Sequence, residues 1–112
     1  MKQGITMNEK YDHSRELFSD AIEILATSQK DLRHRLYEVY EVIYHLHETE
    51  VPSEFSEEWK EIKSVLKKVK IHKISEELIL AEKKLNIRNK TGEKIAYKIW
   101  NIYNELHFSE KY

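Results

Sequence analysis

The chain has no cysteine, one proline and two glycines in 112 residues. Without cysteine, disulfide frameworks, thiolate metal sites and cysteine nucleophiles are excluded. So little glycine and proline cannot punctuate a β-sandwich or a series of βα junctions, because hairpins and tight turns draw on those residues. No window approaches the roughly 18 consecutive apolar residues of a membrane-spanning helix. The first residues, MKQGITMNEKYDH, lack the apolar run of a signal peptide. The expectation is a single all-α domain over 1–112, soluble and cytoplasmic, with frayed ends at 1–6 and 107–112.

What is present is amphipathic periodicity. In SQKDLRHRLYEVYEVIYHLH, residues 28–47, apolar side chains fall at Leu32, Leu36, Val39, Ile43 and Leu46. Steps of four, three, four and three make one stripe of an α-helix. Tyr37, Tyr40, Tyr44 and His47 run beside it, so the apolar face covers about half the circumference and suits a helix between neighbours. The same rhythm recurs at Tyr11, Ser14, Phe18, Ala21 and Leu25, at Phe55, Trp59, Ile62, Leu66 and Val69, and at Ile95, Ile99, Ile102 and Leu106. Ile74, Leu78, Ala81 and Leu85 suggest a shorter stripe.

The helices are therefore expected at 7–26, 29–48, 53–70, 76–86 and 90–106, forming a compact antiparallel bundle of about five. Thr6 and Glu9 have capping-box form. Ser28 reads as the N-cap of the second helix. Pro52 forces a break after Val51. Residues 70–74 have no clear period and read as a kink or loop. NIRNKTG, residues 86–92, reads as a turn, with Asn89 or Thr91 capping the last helix. There is no internal repeat or linker.

Charge is uneven along the chain. Residues 1–56 hold six Lys/Arg against eleven Asp/Glu, and residues 57–112 hold thirteen against nine. Such asymmetry can steer a partner or a second copy of the same chain, or be neutralised within one bundle. Lys60, Lys63, Lys67 and Lys70 form a candidate basic face. Nucleic-acid sites usually bring more arginine, whose fork grips phosphate in two places, and the second half has only Arg88.

Six histidines are many for this length, yet no pair stands three or four apart, the spacing that aims two ligands from one helix at a metal. There is no HExxH, Gly-rich phosphate loop or Gly-x-Ser-x-Gly. No catalytic residue, metal ligand or cofactor is assigned. Tyr37, Tyr40, Tyr44, Trp59 and Trp100, with Arg33 and Arg35 at the rim, are the candidate interaction surface, because Tyr and Trp join an apolar body to a polar tip. Arg33 and Arg35 open a helix, where positive charge opposes the macrodipole, so salt bridges to the acidic first helix are expected of them.

Two resemblances bear on function. Arg88-Asn89, opening the last helix, resembles the Arg-Asn of the HEPN ribonucleases, small helical-bundle toxins in which a His follows a few residues on. Here Gly92 and Glu93 stand in that stretch and the next histidine is His107, so the family's RNA cleavage has no matching residue. The pattern Arg-Leu-Tyr-x-x-Tyr, His-Leu, Val-Pro-Ser-Glu-Phe and Ile-Ala-x-x-Ile-Trp-x-Ile-Tyr, over residues 17–106, is similar to small uncharacterised bacterial helical proteins. It implies a helical fold and a bacterial or phage origin. The leading expectation is a non-catalytic protein-interaction module, an accessory or regulatory subunit that binds another protein or itself. The alternatives are a divergent HEPN-like RNase toxin, or a toxin–antitoxin or antiviral-defence component, and a nucleic-acid binder using the lysine face.

Overall fold

The computed structural model describes residues 10–73, 81–85 and 87–110, with side chains outside 69–86. Four α-helices among them build the core: α1 Asp12–Thr27, α2 Leu32–Ile43, α3 Ser56–Leu66 and α4 Asn89–Phe108. Two 3-10 turns, Glu48–Glu50 and Ser53–Phe55, join α2 to α3. An antiparallel ribbon, β1 Val69–Lys73 and β2 Ala81–Leu85, joins α3 to α4, in a register that sets Val69 opposite Leu85 and Ile71 opposite Lys83.

The helices pack because each buries one stripe. Phe18 and Ala21 of α1, Leu36, Val39 and Ile43 of α2, Trp59, Ile62 and Leu66 of α3, and Ile95, Ile99, Ile102 and Leu106 of α4 form one buried cluster. Leu46, Val51 and Phe55 extend it from the connection between α2 and α3. α1 and α2 form an antiparallel hairpin, α4 packs on both, and α3 closes the far side against α4. Gly92 allows the close approach of α4 to α2. A Cβ there would lie 3.2 Å from a methyl of Leu32 and 3.2 Å from one of Leu36.

The helical core expected of the stripes is the architecture, but the count of five helices is not. The helix expected over 76–86 is replaced at 81–85 by β2, which pairs with β1 and lies against α2. Ala-Glu-Lys-Lys-Leu has good helix propensity, and pairing with a β-branched strand overrides that weak preference. The stretch read as a kink, 70–74, contributes residues 70–73 to β1. Residues 74–80 lie outside the described set, as does the capping box at Thr6 and Glu9.

Boundaries also shift. α2 starts at Leu32 and not at 29, because Asp31, rather than Ser28, accepts the orphan N–H of Arg33 at 2.7 Å. Ser28 instead ends α1. α2 stops at Ile43 and not at 48, because His47 leaves the helix to cap the Glu48–Glu50 turn. Its Nδ1 accepts the N–H of Thr49 at 3.2 Å, and Glu50 returns a carboxylate oxygen to the His47 N–H at 3.1 Å. α3 is shortened by the 3-10 turn that follows Pro52. α4 begins at Asn89 with Arg88 as its extended N-cap residue, so Gly92 is helical and not part of a turn.

Two contacts tie the connection to the helices. Buried Ser14 donates its hydroxyl to the carbonyl of Glu50, which explains a polar residue on an apolar stripe. The carbonyl of Leu46 accepts both the indole N–H of Trp59 and the ammonium of Lys63, each at 3.2 Å. Either donor alone satisfies that buried carbonyl, and losing both strands it at a cost of about 1–3 kcal/mol. In a urea-unfolding cycle, Trp59→Phe with Lys63→Met is therefore expected to be destabilised by roughly 1 kcal/mol or more beyond the sum of the single changes. Strict additivity overturns this reading.

Candidate functional site

Because the Ile95, Ile99, Ile102 and Leu106 stripe turns inward, the opposite face of α4 is presented outward. That face carries Tyr97, 64% exposed, Trp100, 43% exposed, and Phe108, 71% exposed. Half-buried Tyr103 bridges the last two, its ring 5.4 Å from that of Trp100 and 6.4 Å from that of Phe108. His107 lies 4.5 Å from Tyr103, with Nε2 3.2 Å from the carbonyl of Arg15. Arg15 donates from Nε to the carbonyl of Leu106 at 2.9 Å. The last turn of α4 is thereby pinned to α1 and the aromatic row stands on a fixed backbone.

Of the surface expected from sequence, Trp100 belongs to this row. Tyr97 and Phe108 were missed, although both fall at helical spacing from Trp100. Phe108 was assigned to a frayed tail that is helical to that residue. Trp59 is a correction: it is fully buried, edge-to-face with Phe18 at 5.6 Å, and belongs to the core. Its place on the Phe55, Ile62 and Leu66 stripe is the reason.

The tyrosines of α2 grade from rim to surface. Tyr37 and Tyr40 are half-buried against the core, and Tyr44 is 53% exposed. Tyr44 stands beside His45, whose ring lies 5.6 Å from that of His13 on α1. This histidine pair is a convergence that spacing along one helix did not reveal. Among the described residues no group of three or more His, Asp or Glu side chains gathers as a metal site.

Arg33 and Arg35 do not bridge to carboxylates of α1. Arg35 donates to the carbonyl of Leu25 at 2.6 Å, closing one of the C-terminal carbonyls of α1, and to that of Lys30 in the turn at 2.8 Å. Arg33 turns back to Asp31 at 3.4 Å.

The lysines divide between roles. Lys60, Lys63 and Ser64 share one face of α3, continued by the C-cap residue Lys67. With His47 and Glu48, and with buried Trp59 behind them, they line a cleft of about 260 Å³. Lys60 is 3.5 Å from both Glu48 and Glu57, and the nearby carboxylates, Glu48 foremost, raise its pKa. Lys63 is held by the Leu46 carbonyl, its ammonium 5.8 Å from the centre of the Trp59 ring. The side chain of Lys70 lies outside the described set, so the expected face is seen for three of its four members. Elsewhere on α3, Glu61 accepts from Lys98 at 2.7 Å with Lys94 at 4.0 Å, clamping α3 to α4. The Lys98 hydrogen bond holds the Glu61 carboxyl below its usual range, and Glu61 raises Lys98.

Arg88 and Asn89 open α4 while His107 closes it, about 27 Å away at 1.5 Å per residue, so one chain does not bring them together. Among the described residues no helix is long and apolar enough to cross a membrane. Comparison with protein-family models, curated proteins and solved structures finds no match for the chain.

Asp31 shows how the charged groups act on stability. Its pKa is lowered, chiefly by the Arg33 N–H donating to the carboxylate and then by the Arg33 guanidinium. A depressed folded pKa means stability that is full above the unfolded value, 3.8, and is lost as pH falls through the folded one. Asp31→Ala is expected to cost about 1 kcal/mol at neutral pH, the usual worth of an N-cap. The gap between the two proteins should narrow below about pH 4. A pH-independent gap in urea midpoints refutes the assignment.

Proposed function

We propose that the chain is a non-catalytic helical interaction module whose partner is a second copy of itself, docked through the outward face of α4. The observation that carries this reading is the row Tyr97, Trp100 and Phe108, with three large aromatic side chains exposed along one helix face. Exposed apolar patches of this kind mark interfaces, and Tyr and Trp are favoured there.

Charge along the same helix favours a second copy. Lys90 lies in the first turn of α4, with Glu93 near it and with Lys94 and Lys98, already engaged by Glu61, following, whereas Glu105 lies near its end and Glu110 just beyond. A two-fold axis near the middle of α4 sets the lysine half of one copy against the acidic end of the other. It also sets the two helix dipoles antiparallel, side by side. If each of the three rings lost about 100 Å² on both sides, burial would contribute on the order of 15 kcal/mol. Association costs about 4–15 kcal/mol, so a reversible dimer is the expected state. An accessory or regulatory subunit of a bacterial or phage assembly, acting in the cytoplasm, is the role such a module would fill, the likeness to small bacterial helical proteins bearing on fold and origin alone.

Light scattering across a dilution series should show twice the mass of one chain at high concentration, falling toward one on dilution. Tyr97→Glu with Trp100→Glu should be monomeric throughout with unchanged helical circular dichroism, because both positions are exposed. A strict monomer for the unmodified chain, or a dimer that survives the double substitution, overturns the reading.

A further inference from the structure

We propose that the cleft between α3 and the Glu48–Glu50 turn is a binding site for a compact phosphate group, either the free ion or a small phosphate monoester. The cleft is separate from the outward face of α4, so this inference does not depend on self-pairing.

The lining argues for an anion. Lys60, Lys63, Ser64 and Lys67 follow an i, i+3, i+4, i+7 pattern, and the Lys63–Lys67 pair, four residues apart, repels like charge on like. The C-terminal end of α3 tolerates these cations through its dipole. The His47–Glu48 turn then folds over the same stripe and gives it one shared space. Within it, Lys60 is engaged by Glu48 and Glu57. Lys63 spends one proton on the Leu46 carbonyl and is thereby held at the wall with its other donors available. Lys67 makes no ion pair and Ser64 no side-chain hydrogen bond among the described residues. His47 accepts the Thr49 N–H on Nδ1, which puts the ring proton on Nε2 and makes the opposite edge a donor. Two ammonium groups, a hydroxyl and an imidazole N–H thus line one cleft, against a single carboxylate already paired with Lys60.

The form of the site limits what fits. A cleft of about 260 Å³ sits just below the usual range for small-molecule pockets, about 300–1,000 Å³. It suits one phosphate with a small substituent. Trp59 has no exposed surface, so no ring is offered for a base to stack on, and Glu48 at the rim opposes an extended polyanion. Charge-assisted hydrogen bonds from several converging donors favour a compact, highly charged oxyanion over chloride.

The test is a titration of the full-length chain, followed by backbone amide chemical shifts, with sodium phosphate and in parallel with phenyl phosphate. Ionic strength is held constant with sodium chloride. Saturable shifts confined to residues 47–49 and 60–67 are expected. Lys67→Ala should weaken the midpoint by about fivefold or more, the loss of roughly 1 kcal/mol of charge-assisted bonding, with an unchanged melting temperature. Ser64→Ala should weaken it by about twofold. Tighter binding of phenyl phosphate identifies an ester as the ligand, and tighter inorganic phosphate the free ion. Shifts that fail to saturate, or a midpoint unmoved by Lys67→Ala, overturn the proposal. So does a short single-stranded oligonucleotide that binds along the lysines while phosphate does not, which would make this a nucleic-acid face.

Discussion

The carbonyl of Leu46 is the point on which the arrangement of α2, α3 and the cleft depends. It lies just beyond the end of α2, where backbone acceptors lose their helical partners. Two donors from α3 meet it, the Trp59 indole and the Lys63 ammonium. The indole can reach it only if Trp59 is inside, which seats the largest buried side chain against Phe18. The ammonium can reach it only if α3 lies beneath the connection, which brings the lysine stripe under His47 and Glu48. One acceptor beyond a helix end, satisfied only from α3, thus sets the depth of the core on one side and the shape of the cleft on the other.

The scarcity of glycine explains much of the remaining construction. Helices commonly end on a left-handed glycine that closes the last carbonyls. None of the four described α-helices ends on a glycine, since Gly92, the glycine among the described residues, lies within α4. Arginine performs the closure instead. Arg35 reaches back to Leu25 at the end of α1, and Arg15 reaches across to Leu106 at the end of α4. These contacts link elements distant in sequence, which a local glycine cap does not. The second one holds the terminal turn that carries His107 and Phe108, so the outward aromatic row gains rigidity from a capping interaction. A pre-ordered row loses less conformational entropy on docking than a frayed one.

The core was legible in the sequence almost residue by residue, because burial stripes with a period near 3.6 survive any choice of neighbours. Leu36, Val39, Ile43 and Leu46, and Ile95, Ile99, Ile102 and Leu106, were assigned inward from spacing and are buried. Trp59 shows two kinds of reading in conflict. Its stripe placed it inside, the surplus of aromatics placed it at an interface, and the stripe held because packing acts on position and not on composition. The ribbon was not legible. Ala81 to Leu85 carries helix-favouring residues, and its pairing with Val69 to Lys73 is a long-range choice that no local window contains. The cleft was half legible: the lysine stripe is plain in the sequence, but the turn that covers it depends on His47 leaving a helix whose apolar rhythm continues through Leu46.

α4 does three things that compete for its circumference. One side supplies four aliphatic residues to the core, a flank supplies Lys94 and Lys98 to Glu61, and the rest carries the aromatic row. If the row were merely surplus hydrophobic surface, the simplest arrangement would turn α4 so that Trp100 entered the core beside Trp59. The Glu61 clamp opposes that rotation, because moving Trp100 inward carries Lys94 and Lys98 away from α3. Gly92 opposes it as well, since its bare Cα packs close to Leu32 and Leu36 at the other end of the helix, where a Cβ would crowd their methyls at 3.2 Å. A polar clamp on the flank and a glycine contact at one end hold the helix in the rotation that keeps Tyr97, Trp100 and Phe108 outside. Surface exposure held by two independent contacts is what a docking face requires, and it is the physical support for the proposed interaction role.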